Sequence, residues 1–253
     1  MFKISDRDLV RDRVLQWAQE DSRVVSGAAV GSLALTDGDR WSDLDLTFGV
    51  ADEFSMFDVL DDWTRRAIAD FDATHLFDLP SGSSTYRVFL LPGCLQFDLS
   101  FTPASKFGAT GPKFKLLFGA AIEKPHAQPP SSHELFGYAV HHALRARFCI
   151  ERGRFWQAEY WISSLRDYAL SLACRRRGLP AQHGRGFDDL PADTLDTFKN
   201  SFVKTLDRDE LLRVFRIAIE GLLGEAEEVQ DLAAKVTPHL RELTMDWNAP
   251  VTG

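Results

Sequence analysis

Apolar residues in the opening segment return every three to four positions, at Leu9, Val10, Val14, Leu15 and Ala18, behind a Ser5/Asp8 pair spaced like a helix-starting cap. This pattern predicts one amphipathic helix ending near Ser22. The period then shortens. Val24 to Ala29 is a brief apolar run closed by Gly31-Ser32, a polar stretch with Asp37, Gly38 and Asp39 follows, and Leu44-Asp45-Leu46-Thr47-Phe48 alternates residue by residue. Strand, turn and strand are predicted. A second helix over Phe54 to Asp70 comes next, then three strands over Thr74 to Leu79, Thr85 to Leu91 and Cys94 to Phe101, with Pro92-Gly93 as a hairpin turn between the last two.

From His133 onward helical periods dominate. Helices are predicted over His133 to Arg152, from Gly153 or Arg154 to Arg177 with Gly178 and Pro180 as its stop, over Asp193 to Val203, and over Arg208 to Lys235. The proline- and glycine-rich stretch Thr102 to Pro130 reads as a linker. The expected organisation is therefore α+β, with a small α/β domain over 1–115 and a helical bundle over 116–253.

Composition narrows the classes. In 253 residues, 45% hydrophobic and 11% aromatic content supports a sizeable core and excludes a disordered chain. Lys and Arg total 29 against 37 Asp and Glu, a net charge of −8, which attracts cations rather than a phosphate backbone, so no nucleic-acid partner is expected. Cys94, Cys149 and Cys174 form no C-x-x-C pair, which points away from thiolate zinc and disulfide frameworks and towards a reducing compartment. The first residues lack the apolar stretch that export or membrane insertion requires, so a cytoplasmic location without membrane partners is expected. His141-His142 are adjacent and match no zinc spacing, and His183-Gly184-Arg185-Gly186 reads as loop punctuation. Arg175-Arg176-Arg177 at a helix end suits the macrodipole and reads as structural.

The chemistry concentrates in Val30-Gly31-Ser32, ten intervening residues, and Asp43-Leu44-Asp45-Leu46. On an extended strand Asp43, Asp45 and Thr47 share one face while Leu44, Leu46 and Phe48 point into a core. Two converging carboxylates repel each other unless a divalent cation such as Mg²⁺ takes them as hard oxygen ligands. Gly31 removes a side chain where backbone approaches phosphate, and Ser32 adds a hydroxyl and an amide. A third acid, Asp98, lies on the polar face of an alternating run whose Leu95, Phe97, Leu99 and Phe101 are apolar.

Gly-Ser, a ten-residue spacer, Asp-x-Asp between apolar residues and a later strand Asp resemble the signature of the nucleotidyltransferase superfamily that includes DNA polymerase beta. The resemblance spans about Val24 to Phe101. It implies a mixed sheet, Mg²⁺ held by Asp43 and Asp45, Asp98 as third metal carboxylate or as the base for the attacking hydroxyl, and nucleotide phosphates against Gly31 and Ser32. The segment Arg152 to Tyr168 is similar to the bundle helix of aminoglycoside and lincosamide nucleotidyltransferases. There Glu159, Ser163 and Arg166 lie along one stripe, and Glu159 is the candidate acceptor-side base or ligand contact, with Asp167 second. Lys204, Lys199 and Arg87 are candidate cations for the nucleotide's charge.

The expected activity is transfer of a nucleoside monophosphate, AMP from ATP or the equivalent from another nucleoside triphosphate, to a hydroxyl of a small polar acceptor such as an aminoglycoside or lincosamide. Two other readings are a protein-modifying or toxin–antitoxin AMP transferase and a non-catalytic nucleotide-binding module. Oligomeric state is not legible in the sequence.

Overall fold

The computed structural model describes residues 1–34, 38–126, 128–245 and 247. Asp37 of the expected turn lies outside them. The chain divides into two compact units, Met1–Ala127 and Gln128–Gly253.

In the first unit, α1 (Ile4–Glu20) opens on a bond from the Lys3 N–H to Asp6 Oδ2 at 2.7 Å, two residues ahead of the expected Ser5/Asp8 pair. It buries Val10, Val14, Trp17 and Ala18. Strands β1 (Val24–Val30) and β2 (Leu44–Val50) follow, then α2 (Met56–Phe71), which Ser55 caps by accepting the Asp58 N–H. The sheet continues with β3 (Thr74–Ser81), β4 (Ser84–Leu91) and β5 (Leu95–Pro103). Pro92-Gly93 makes the predicted hairpin turn, with Gly93 at φ 78° and its carbonyl accepting the Phe2 N–H at 2.8 Å.

A sixth strand, β6 (Phe114–Phe118), falls where the linker was expected. Its apolar residues run together without alternation, so period alone did not distinguish it, and pairing with β1 makes it a strand. The first unit accordingly reaches past position 115. Strand order is β3-β4-β5-β2-β1-β6, antiparallel throughout except for the parallel β2–β5 pair.

One face of this sheet carries Leu44, Leu46, Phe48, Phe97, Leu99 and Phe101, all at most 1% exposed. These pack under α1 and α2, where Trp63 meets Phe48, Phe101 and Trp17 with ring centroids 5.0, 5.1 and 5.7 Å away. Burial of this aromatic surface stabilises the unit.

The second unit is helical: α3 (Ser132–Glu151), α4 (Phe155–Arg176), α5 (Ala192–Lys199), α6 (Arg208–Gly224) and α7 (Gln230–Thr244). Fully buried alanines, Ala139, Ala143 and Ala146 on α3 and Ala158, Ala169 and Ala173 on α4, let these helices approach closely around Ile162, Leu165, Phe215 and Ile219. The single helix expected over Arg208 to Lys235 is two. The chain breaks after Gly224, and the Glu225 carboxylate at the break pairs with Arg176 at 3.0 Å and Arg177 at 2.9 Å. The fold is α+β, a six-stranded mixed sheet with helices followed by C-terminal helices. Among the described residues no helix is long and apolar enough to cross a membrane.

Candidate functional site

The parallel β2–β5 register sets Asp45 opposite Asp98 and Thr47 opposite Ser100. Strand parity then places all four on the sheet face away from α1 and α2. Asp43 precedes β2 by one residue. Carboxylate oxygens of Asp43, Asp45 and Asp98 lie within 4.8 Å of one another, and all three side chains are half-buried. This is the convergence expected from the Asp-x-Asp spacing, and β5 supplies the third member because it runs beside β2.

Gly31 and Ser32 begin a short 3-10 turn, Gly31–Ala34, directly after β1. Gly31 sits at φ +70°, and a β-carbon there would collide with Asp45 Oδ2. Its missing side chain therefore makes room for a carboxylate of this chain, a reason for glycine that the sequence did not disclose.

Electrostatics follow from the crowding. Burial raises the Asp98 carboxyl above its ordinary range, the Gln96 side chain counters this by hydrogen bonding, and the charge of Asp43 raises it again. Gln96 Nε2 donates to both Asp98 oxygens, at 3.0 and 3.1 Å. Three convergent carboxylates are a hard, oxygen-only donor set, which fits Mg²⁺ or Mn²⁺ and not a soft thiophilic ion.

One neighbour escaped the sequence reading, whereas Gln96 falls on the polar face of β5 with Asp98 as strand alternation predicts. Tyr86 on β4 lies opposite Ser100, next to the carboxylates, and only the β4–β5 register reveals that. Burial pushes its phenol up, the nearby Ser100 hydroxyl opposes this, and the charges of Asp45 and Asp98 add to the rise.

Arg87, expected among the cations for the nucleotide, serves the opposite face. It is 8% exposed and binds Asp78 at 2.7 Å, Asp61 at 2.8 Å and Thr64 at 2.9 Å beneath α2. Four of its five N–H donors are so occupied, and parity turns residue 87 away from Asp98.

The remaining candidates belong to the second unit. Glu159 on α4 accepts the Ser163 hydroxyl at 2.6 Å, and Arg166, two turns on, reaches Ser163 Oγ at 3.2 Å and the Ser201 carbonyl at 3.2 Å. The expected stripe of Glu159, Ser163 and Arg166 is thus a connected polar row. Asp167 is exposed, with Arg166 at 3.9 Å. Lys204 is exposed and its backbone N–H donates to Glu210 Oε1 at 3.0 Å, while Lys199 lies 3.7 Å from Asp196.

No family model and no curated protein matches the sequence. Among solved structures, an aminoglycoside 6-adenyltransferase from Bacillus subtilis is similar over 93% of this chain and 97% of that one, with a TM-score of 0.34 and 10% identity.

Proposed function

We propose that this protein is a divalent-metal-dependent nucleotidyltransferase that moves a nucleoside monophosphate, AMP from ATP, to a hydroxyl of a small polar acceptor. The observation that carries the reading is the meeting of Asp43, Asp45 and Asp98 oxygens within 4.8 Å beside the Gly31-Ser32 turn. Asp43 and Asp45 hold Mg²⁺ with Asp98 as third carboxylate, and the bound ion supplies charge neutralisation at the α-phosphate and the leaving pyrophosphate.

The chain's own residues do the rest. Backbone N–H groups at Gly31 and Ser32 receive the triphosphate, and the absent Gly31 side chain leaves Asp45 Oδ2 its place beside them. Asp98, its carboxyl raised by burial, takes the proton of the acceptor hydroxyl as that oxygen bonds to the α-phosphorus and the bond to the β-phosphate oxygen breaks, releasing pyrophosphate. Glu159 is the alternative base or an acceptor contact, and Lys204 offers positive charge to the nucleotide. The net charge of −8 favours a cationic acceptor, of which an aminoglycoside is the leading class.

The test is a pyrophosphate-release screen with four nucleoside triphosphates and Mg²⁺ against aminoglycosides and lincosamides. Release with ATP and at least one member of the panel is expected. Transfer of label from ATP to a protein instead, with the whole panel inert, would overturn the small-acceptor assignment.

A further inference from the structure

Asp43 stands outside the β2 ladder, whose pairing with β5 begins at Leu44. Its backbone position is therefore set by the turn before it. Within that turn Asp39 Oδ1 accepts the Trp41 N–H at 2.8 Å and the Ser42 hydroxyl at 3.1 Å, and Ser42 Oγ in turn accepts the Asp39 N–H at 3.0 Å. The turn is also held from outside. Arg7, in the first turns of α1, places one guanidinium nitrogen, Nη1, 2.7 Å from the Asp39 carbonyl and 2.7 Å from the Ser42 carbonyl.

Arg7 is an unusual residue to bury. It is 4% exposed, its Nε has no partner, and among the described residues no carboxylate lies within ion-pair reach of it. Its hydrogen bonds go to carbonyls, with only the more distant charge of the Asp39 carboxylate to offset its own, so its burial carries a desolvation cost that a methionine of similar shape would not. What the arginine provides, and methionine does not, is two donors from one nitrogen that tie both ends of the 39–42 turn. The residue following Ser42 is Asp43.

Resting on the metal-centre reading above, we propose that Arg7 is a positioning residue of that centre. By fastening both carbonyls of the turn it holds the Asp43 carboxylate against Asp45 and Asp98 before any cation arrives. Its contribution is pre-organisation of the ligand set, and it does not itself touch metal or substrate.

The experiment measures Mn²⁺ affinity of the full chain by calorimetry or electron paramagnetic resonance, together with hydrogen exchange at the Trp41 amide in the metal-free protein. Arg7→Met is expected to weaken Mn²⁺ binding about 10–100-fold, in the range seen when supporting partners of metal ligands are removed. Arg7→Lys should restore part of that loss, and Trp41 exchange should quicken in Arg7→Met. Asp39→Ala, exposed and on the other side of the same turn, should weaken binding in the same direction, and it carries the test should Arg7→Met fail to fold. Wild-type affinity in Arg7→Met, or in Asp39→Ala where it stands in, overturns the positioning role. With wild type binding Mn²⁺ and Asp43→Asn not binding it, that outcome leaves the metal centre standing. Absence of Mn²⁺ binding in wild type, or undiminished binding in Asp43→Asn, overturns both.

Discussion

The two faces of the sheet treat acidic residues in opposite ways. On the helix-covered side carboxylates are matched with cations. Asp78 and Asp61 hold Arg87, while Asp21 receives Arg23 at 2.8 and 2.9 Å and the Trp63 indole N–H at 2.9 Å. On the other side Asp43, Asp45 and Asp98 gather, and neither Asp43 nor Asp98 has a cation within ion-pair reach among the described residues. Neutralised charge on one face contributes to holding the fold, whereas concentrated charge on the other opposes folding and is suited to recruit a cation. Adjacent residues of β5, such as Phe97 and Asp98, belong to these two regimes through parity alone.

The largest effect that would sharpen this contrast is on the helix-covered side. Trp63 is fully buried and touches three aromatic rings, so Trp63→Ala should cost about 3–5 kcal/mol in urea unfolding. A loss under 1 kcal/mol would mean that the core lies elsewhere.

Next comes the opposite face. Asp43→Asn and Asp45→Asn should each slow pyrophosphate release by about 10²–10³-fold, with urea midpoints little changed. Undiminished release would remove the functional half of the comparison.

A third, smaller effect is pH-dependent. The hydrogen bonds from Arg23 hold the Asp21 carboxyl at about 2, against burial, with the Trp63 indole adding to the shift from its ordinary 3.8. Because the unfolded chain takes up this proton first, the associated stability is present above pH 3.8 and is lost as pH falls through about 2. Unfolding midpoints at pH 5, 3 and 2 should show the fall, and Asp21→Asn should flatten it. An identical slope in the variant would exclude Asp21 as its source.

The smallest effect carries the opposite sign. Asp98→Asn removes a half-buried negative charge facing Asp43, and should stabilise the metal-free protein by about 0.5–2 kcal/mol while abolishing Mn²⁺ binding. Destabilisation would indicate that the site-face acids hold the fold as those beneath α2 do.

How far the chain could be read from its residues differs by element. The Asp-x-Asp strand and the Asp98 strand were legible because period-two alternation is a property of consecutive residues. Strand β6 was not, since Phe114-Lys115-Leu116-Leu117-Phe118 lacks alternation and owes its conformation to β1. The break between α6 and α7 was hidden for a similar reason. Glu225, at the break, pairs with Arg176 and Arg177, some fifty residues earlier in the chain.

Arg87 shows the limit most directly. An arginine one residue from Tyr86 looks as suited to phosphate as any other until the β4–β5 register assigns Tyr86 to the carboxylate face and Arg87 to the helices.

Residue order by itself determined which side chains alternate, where glycine and proline interrupt, and hence that acids of β2 and β5 each line one side of a strand. Tertiary structure alone decided that β2 and β5 lie side by side in parallel, that the Gly31 turn opens onto Asp45, and that Arg7 reaches the turn before Asp43. Local periodicity is written in neighbouring residues, whereas the meeting of three carboxylates depends on burying two distant apolar faces under the same pair of helices.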